Sequence, residues 1–215
     1  MNGEIDIRPA RPGDCAFLAW VMLAATRGHL TKGWFDITLD MPEPDCLAFL
    51  ERLAQTRSHS WWHWSHFHVA EADGVPLGAL CAFRAGEGYA LSQIAMDEVT
   101  SNLGWSEADV AAMWSRAAYI FSCAVNAADD VWAIENVAVK PEARKKGIGR
   151  ALTGHALRLG REAGCPDAQL SVLIGNIAAR KTYEAAGFAL SEEKRHADFE
   201  RAAGGPGLWC FRRAL

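Results

Sequence analysis

Hydrophobic and polar positions follow two periods along this chain. Ile5 and Ile7, set among Glu4, Asp6 and Arg8, predict a short first strand. Pro12-Gly13-Asp14 offers a turn and an N-cap, and Phe17, Leu18, Val21, Met22 and Ala25 then recur at helical spacing. Asp45 is placed to cap a second helix that presents Leu47, Leu50 and Leu53 on one face. His66 to Ala72 predicts a strand, Asp73-Gly74 a tight turn, and Pro76 to Arg84 its antiparallel partner. Residues 85–105 carry few signals. Ser106-Glu107-Ala108-Asp109 has the form of a capping box, with Val110, Met113, Trp114, Ala117 and Phe121 as the helical stripe behind it.

Val131 to Val139 predicts an apolar strand interrupted only by Glu135 and Asn136. Gly147 to Ala163 predicts a helix with Ile148, Leu152, Ala156, Leu159 and Ala163 facing inward, stopped by Gly164. Ala168 to Ile174 follows as a strand. Asn176 opens a short helix ending at Gly187. Phe188 onward and Leu208 to Arg213 predict two closing strands joined through Gly204-Gly205-Pro206-Gly207. With no internal repeat and no linker, the expectation is one mixed α/β domain over residues 1–215.

Composition narrows the class. A 215-residue chain should bury roughly 70% of its unfolded surface, so it folds without a metal or disulfide staple. Half of its residues are hydrophobic and 22% are charged, which excludes disorder, collagen and coiled coil. The net charge of −4 argues against a nucleic-acid partner. The apolar run from Cys15 to Thr26 is shorter than the ~18 residues of a membrane span, and no membrane partner is expected. Glu4, Asp6 and Asp14 spoil the positive lead of a signal peptide. The six cysteines are scattered without a Cys-x-x-Cys pair, which reads as buried reduced thiols in a cytoplasmic protein.

The segment from Val137 to Arg150 runs strand, turn, glycine-rich corner, helix. A helix start exposes unpaired backbone N–H groups and a partial positive charge, both suited to phosphate. Lys140, Arg144, Lys145, Lys146 and Arg150 against Glu142 give a local net of +4. A solvated basic turn has the same pattern. A Walker loop and a dinucleotide fingerprint both fail on spacing.

Arg144-Lys145-Lys146-Gly147-Ile148-Gly149, together with Asn176, Ala179, Tyr183, Gly187 and Phe188, resembles the paired motifs of the GCN5-related N-acetyltransferase (GNAT) superfamily. The resemblance implies a central, mostly antiparallel twisted sheet with one splayed parallel strand pair and flanking helices. The segment between strands 3 and 4 would be an extra helical insert. It implies acetyl-CoA as cofactor, with pyrophosphate contacts from Arg144, Lys145, Lys146, Gly147, Ile148, Gly149 and Arg150. The pantetheine arm would lie along Val137, Ala138 and Val139, with further contacts from Asn176, Ala179 and Tyr183. Tyr183 would serve the leaving thiolate as proton or hydrogen-bond donor, or else pack the core.

Glu135 is a carboxylate inside an apolar strand, on the face of Val137 and Val139 by period two. It is the candidate base, with an orienting or ion-paired glutamate as the alternative. The implied reaction is direct attack by an amine of a small molecule or peptide. A non-catalytic acyl-CoA sensor or interaction module is the alternative, and a homodimer is left open. His59, His63, His66 and His68 lie among Trp61, Trp62 and Trp64, with His66 and His68 on one strand face. No acidic or cysteine ligand supports a metal there, so the segment reads as packing or an aromatic surface. From Ala85 to Val139 eight acids face one base, Arg116, which suggests an acceptor wall for a cationic or polar amine, or merely a solvated surface.

Overall fold

The computed structural model describes residues 4–215. Its first half comprises β1 (Asp6–Pro9), α1 (Cys15–Arg27), α2 (Trp34–Leu39), α3 (Glu43–Leu53), β2 (Phe67–Ala72) and β3 (Val75–Arg84). A helical insert follows, with α4 (Ala85–Gly88), α5 (Ser92–Asn102) and α6 (Glu107–Ala117). The second half comprises β4 (Trp132–Val139), α7 (Ile148–Glu162), β5 (Asp167–Leu173), α8 (Ile177–Ala185), β6 (Ala189–Arg195), α9 (Ala197–Ala203) and β7 (Gly207–Ala214). The strands form one sheet in the order β1-β2-β3-β4-β5-β7-β6. Every neighbouring pair is antiparallel except β4 and β5.

The sheet separates two apolar layers. On one side Leu18 and Met22 of α1 and Phe49 and Leu50 of α3 meet Phe67, Val69, Cys81 and Phe83. On the other, Ile148, Leu152 and Ala156 of α7 meet Leu80, Ala82, Ile134 and Leu170. β3 feeds both layers, which explains its nearly unbroken apolar sequence. Asp73 and Gly74 both take left-handed angles, as the expected hairpin turn requires. All six cysteines are buried and free. Among the described residues no helix is long and apolar enough to cross a membrane.

Several local expectations need correction. Asp14 does not cap α1 with its side chain. Its carboxylate turns back to accept from the Arg11 N–H at 2.7 Å and from the Arg8 guanidinium at 2.8 and 3.0 Å. α3 begins at Glu43, because Pro44 already fixes a helical φ, so Asp45 lies inside the first turn. Phe121 is not part of the α6 stripe. The helix ends at Ala117, and Phe121 is 68% exposed in a 3-10 turn. The Ser106 box is present, with Ser106 and Asp109 exchanging hydrogen bonds at 3.0 and 3.2 Å. α9 fills the stretch read as a connection between closing strands.

Candidate functional site

β4 and β5 pair only at their starts, Trp132 with Ala168 and Ala133 with Gln169, and then diverge. On its other side β4 carries a bulge. Glu135 opposes Cys81 and Ala138 opposes Ala79, so Asn136 and Val137 together face Leu80 alone. Asn136 takes a φ of 50°, and its buried side-chain amide nitrogen has no hydrogen-bond partner among the described residues. The extra residue resets the alternation. Ile134, Val137 and Val139 lie with the α7 layer, whereas Ala133 and Ala138 lie with the α1 layer. Glu135 falls on the α1 side, not on the face of Val137 and Val139 as simple period two implies.

Beyond β4 the chain makes a 3-10 turn over Pro141–Ala143 and enters α7 at Gly147. Gly147 has a φ of 82°, and a Cβ there would meet no protein atom within 4 Å. The residue is therefore demanded by backbone conformation and not by packing. Among the described residues no side chain caps α7, so its first N–H groups remain available. Arg144, Lys145 and Arg150 line the cavity beside this corner. Arg144 donates from Nε to the Val139 carbonyl at 3.1 Å. Lys146 is exposed and outside the cavity lining, and Lys140 sits over the Phe17 ring at 5.3 Å. Asn176 caps α8, its Oδ1 accepting from the Ala179 N–H at 3.2 Å.

The corner and the strand gap open into one cavity of about 1670 Å³. That exceeds the ~300–1,000 Å³ of a typical single-ligand pocket. Every residue expected to touch cofactor lines it except Lys146: Val137, Ala138, Val139, Arg144, Lys145, Gly147, Ile148, Gly149, Arg150, Asn176, Ala179 and Tyr183. Glu135 lines it too. Tyr183 projects from α8 with its ring edge-on to Phe188, centroids 6.1 Å apart. Burial first, and then the charge of Glu135, push the phenol above its ordinary value. Burial also pushes Glu135 up to about 7, although a hydrogen bond from Tyr89 opposes the shift. That bond runs from the Tyr89 hydroxyl to Oε1 at 2.7 Å.

Tyr89 was not anticipated. It follows Gly88, whose backbone lies so close to the Phe83 ring and to Trp61 that a Cβ could not fit. This contact presses the start of the insert onto β3 and brings Tyr89 over the neighbouring strand. Glycine on either side of Glu87 before a tyrosine was the available signal. Of the eight acids between Ala85 and Val139, only Asp129 and Glu135 line the cavity. Glu98 instead accepts from the Arg57 N–H at 3.0 Å, Asp109 caps α6, and Glu87 faces Arg84 at 3.6 Å. Most of the acidic excess is therefore a solvated surface.

Trp61 and Trp62 also line the cavity. The histidines around them separate. His66 lies in a 3-10 turn against Phe83, while His68 meets His155 of α7 at 3.0 Å on the opposite side of the sheet. They do not share a strand face. Among the described residues no group of three His, Cys, Asp or Glu could hold a metal ion.

The chain matches the acetyltransferase (GNAT) family over residues 34–188, well over half its length, and it belongs to that family. Among solved structures, an acetyltransferase superposes with a TM-score of 0.72 at 18% identity, covering 98% of this chain and 99% of the other. An N-acetyltransferase from Staphylococcus aureus Mu50 gives 0.69 at 19% identity, covering 97% and 100%. The yncA protein of Salmonella typhimurium, solved with its cofactor acetyl-CoA, gives 0.55 at 17% identity, covering 98% and 94%. These likenesses show the fold. No curated protein sequence matches the chain.

Proposed function

We propose that this chain is an N-acetyltransferase that moves an acetyl group from acetyl-CoA to an amine of a small molecule or peptide. The observation that carries the reading is the meeting of Glu135, Tyr183 and the α7 corner in one cavity at the splayed β4–β5 gap. The cavity is large enough for cofactor and acceptor together, which favours direct transfer over an acyl-enzyme.

The corner fits a pyrophosphate. It offers an uncapped helix start, cationic Arg144, Lys145 and Arg150, and open space above Gly147. The free edge of β4 beyond Ala133 suits the pantetheine arm, with Asn176, its Oδ1 engaged, turning only its amide N–H groups to cofactor. When bound, acetyl-CoA supplies a thioester whose C–S bond breaks as the C–N bond forms. Glu135 accepts the proton that an ammonium must shed before its nitrogen can attack. A carboxylate near pH 7 is a far better base than an ordinary one. Tyr183 remains protonated at neutral pH and donates to the departing sulfur. The proton shed by the acylated nitrogen balances the one the sulfur takes.

The test is ligand-dependent melting of Gly149→Glu. Gly149 is preferable to Gly147 because its backbone angle is not left-handed and its Cβ would make only ordinary contact with Thr182, at 3.8 Å. The wild type should gain about 2.7 kcal/mol at one hundred times Kd. The variant should fold and lose the shift. A full shift in the variant would move the phosphate site elsewhere.

A further inference from the structure

Four of the nine tryptophans line the cavity, and all four belong to the apolar layer of α1, across the sheet from that of α7. Trp34 stacks on Trp62 with centroids 6.1 Å apart and 15° between planes. Trp62 meets Trp61 at 4.6 Å, and Trp61 meets Tyr89 edge-on at 5.5 Å. Tyr89 ends this run on Glu135. Trp114 of α6 lines the same cavity.

The polar ends of Trp34, Trp61 and Tyr89 already have protein partners, whereas the buried Trp62 indole N–H has none among the described residues. The Trp34 indole N–H donates to the Ala117 carbonyl at 3.4 Å, and that of Trp61 to Ser92 Oγ at 2.9 Å. Tyr89 uses its hydroxyl on Glu135. Trp34, Trp61, Tyr89 and Trp114 are nevertheless only half-buried, so ring faces and edges are what they offer a ligand. Asp129 and Glu135 are the carboxylates of the lining.

We infer that the acceptor is a primary amine carried on a short arm from a flat, apolar, ring-containing body, the ring lying against Trp34, Trp61 and Trp114 and the amine reaching Glu135. This rests on the acetyltransferase reading and names its substrate class. A ring gains from burial and from offset or edge-on contact with the indoles. The ammonium is drawn toward ring faces as it approaches the carboxylate. An aminoglycoside would bring more hydroxyls than this aromatic face can pair, the Trp62 indole N–H and the Asn136 amide being the unpartnered buried donors of the lining among the described residues. A polyamine would bring more separated cations than this lining can match.

The experiment compares thiol release from acetyl-CoA with 2-phenylethylamine, spermidine, an aminoglycoside and a peptide N-terminus. A parallel titration follows tryptophan fluorescence as 2-phenylethylamine is added without acetyl-CoA. The aryl amine should lead in kcat/KM by at least about 10- to 200-fold, the discrimination that a single methylene supplies in an apolar pocket, and should quench fluorescence saturably. Trp61→Ala should raise its KM by about tenfold or more and leave the acetyl-CoA melting shift intact. If that variant does not fold, Trp114→Ala serves the same purpose. Preference for spermidine, aminoglycoside or peptide would overturn the inference while the acetyltransferase reading stands. Absence of thiol release with every one of these amines would count against that reading. The titration would then decide the aryl-amine site alone: saturable quenching sustains it, and no quenching overturns it.

Discussion

Tyr89→Phe isolates the hydrogen bond that holds the proposed base. The ring keeps its edge-on contacts with Phe83 and Trp61, at 4.9 and 5.5 Å, and only the hydroxyl on Glu135 is lost. That bond favours the ionised carboxylate, so its removal raises the pKa of Glu135 further. A hydrogen bond to a charged group is worth about 1.5–3 kcal/mol, or about 1–2 pH units at 1.36 kcal/mol each. The acidic limb of kcat/KM should therefore move from about 7 to about 8–9. At neutral pH the ionised fraction falls from one half to between about 9% and 1%, so the rate drops by about 5- to 50-fold and recovers in alkali. The assay is thiol release across pH with one amine throughout, so that the amine's own titration is common to both proteins. A uniform loss with an unmoved limb would show that Tyr89 serves packing or binding. A limb displaced toward acid would refute the electrostatic reasoning.

Tyr183→Phe should lower kcat by about 10²–10⁴-fold and leave acetyl-CoA affinity nearly unchanged, checked by single-turnover rates beside calorimetric titration. Glu135→Gln should abolish the acidic limb and alter the pH dependence of stability. In the wild type the folded value, about 7, lies above the ordinary 4.5, so this residue's contribution is full below the ordinary value and is lost as pH rises through about 7. The loss amounts to at most about 3 kcal/mol, from some 2.5 units at 1.36 kcal/mol each. Urea melts of the two proteins at both ends of that window measure it. Parallel pH profiles would mean that Glu135 ionises normally in the folded protein.

The proposed cofactor half of the site was the more legible in sequence because local rules define it. The turn after Val139, the glycines at the start of α7 and Asn176 as cap of α8 each leave a residue-type signature within a few positions. The proposed acceptor half depends on contacts that sequence spacing does not carry. The bulge at Asn136 and Val137 moves Glu135 to the other face, and it registers only against β3. α5 buries Ala95, Met96, Val99 and Thr100 but exposes Ile94 and has no side-chain cap, so its pattern is weak. Trp34, on the six-residue α2, meets Trp62 across 28 positions of chain. The Trp-rich segment thus gains its meaning from the elements around it and not from its own spacing. The charge sum over residues 85–139 left an acceptor wall and a solvated surface both open for a related reason, since it does not show that most of those acids pair with Arg84, engage backbone N–H groups or face solvent.

The most direct test of the central claim is amine-dependent release of free thiol from acetyl-CoA, with mass detection of the acetylated amine. The account expects thiol and N-acetyl product in equal amounts, with both falling together in Tyr183→Phe and Glu135→Gln. Tight acetyl-CoA binding without product from any amine would contradict it and leave an acyl-CoA sensor in its place.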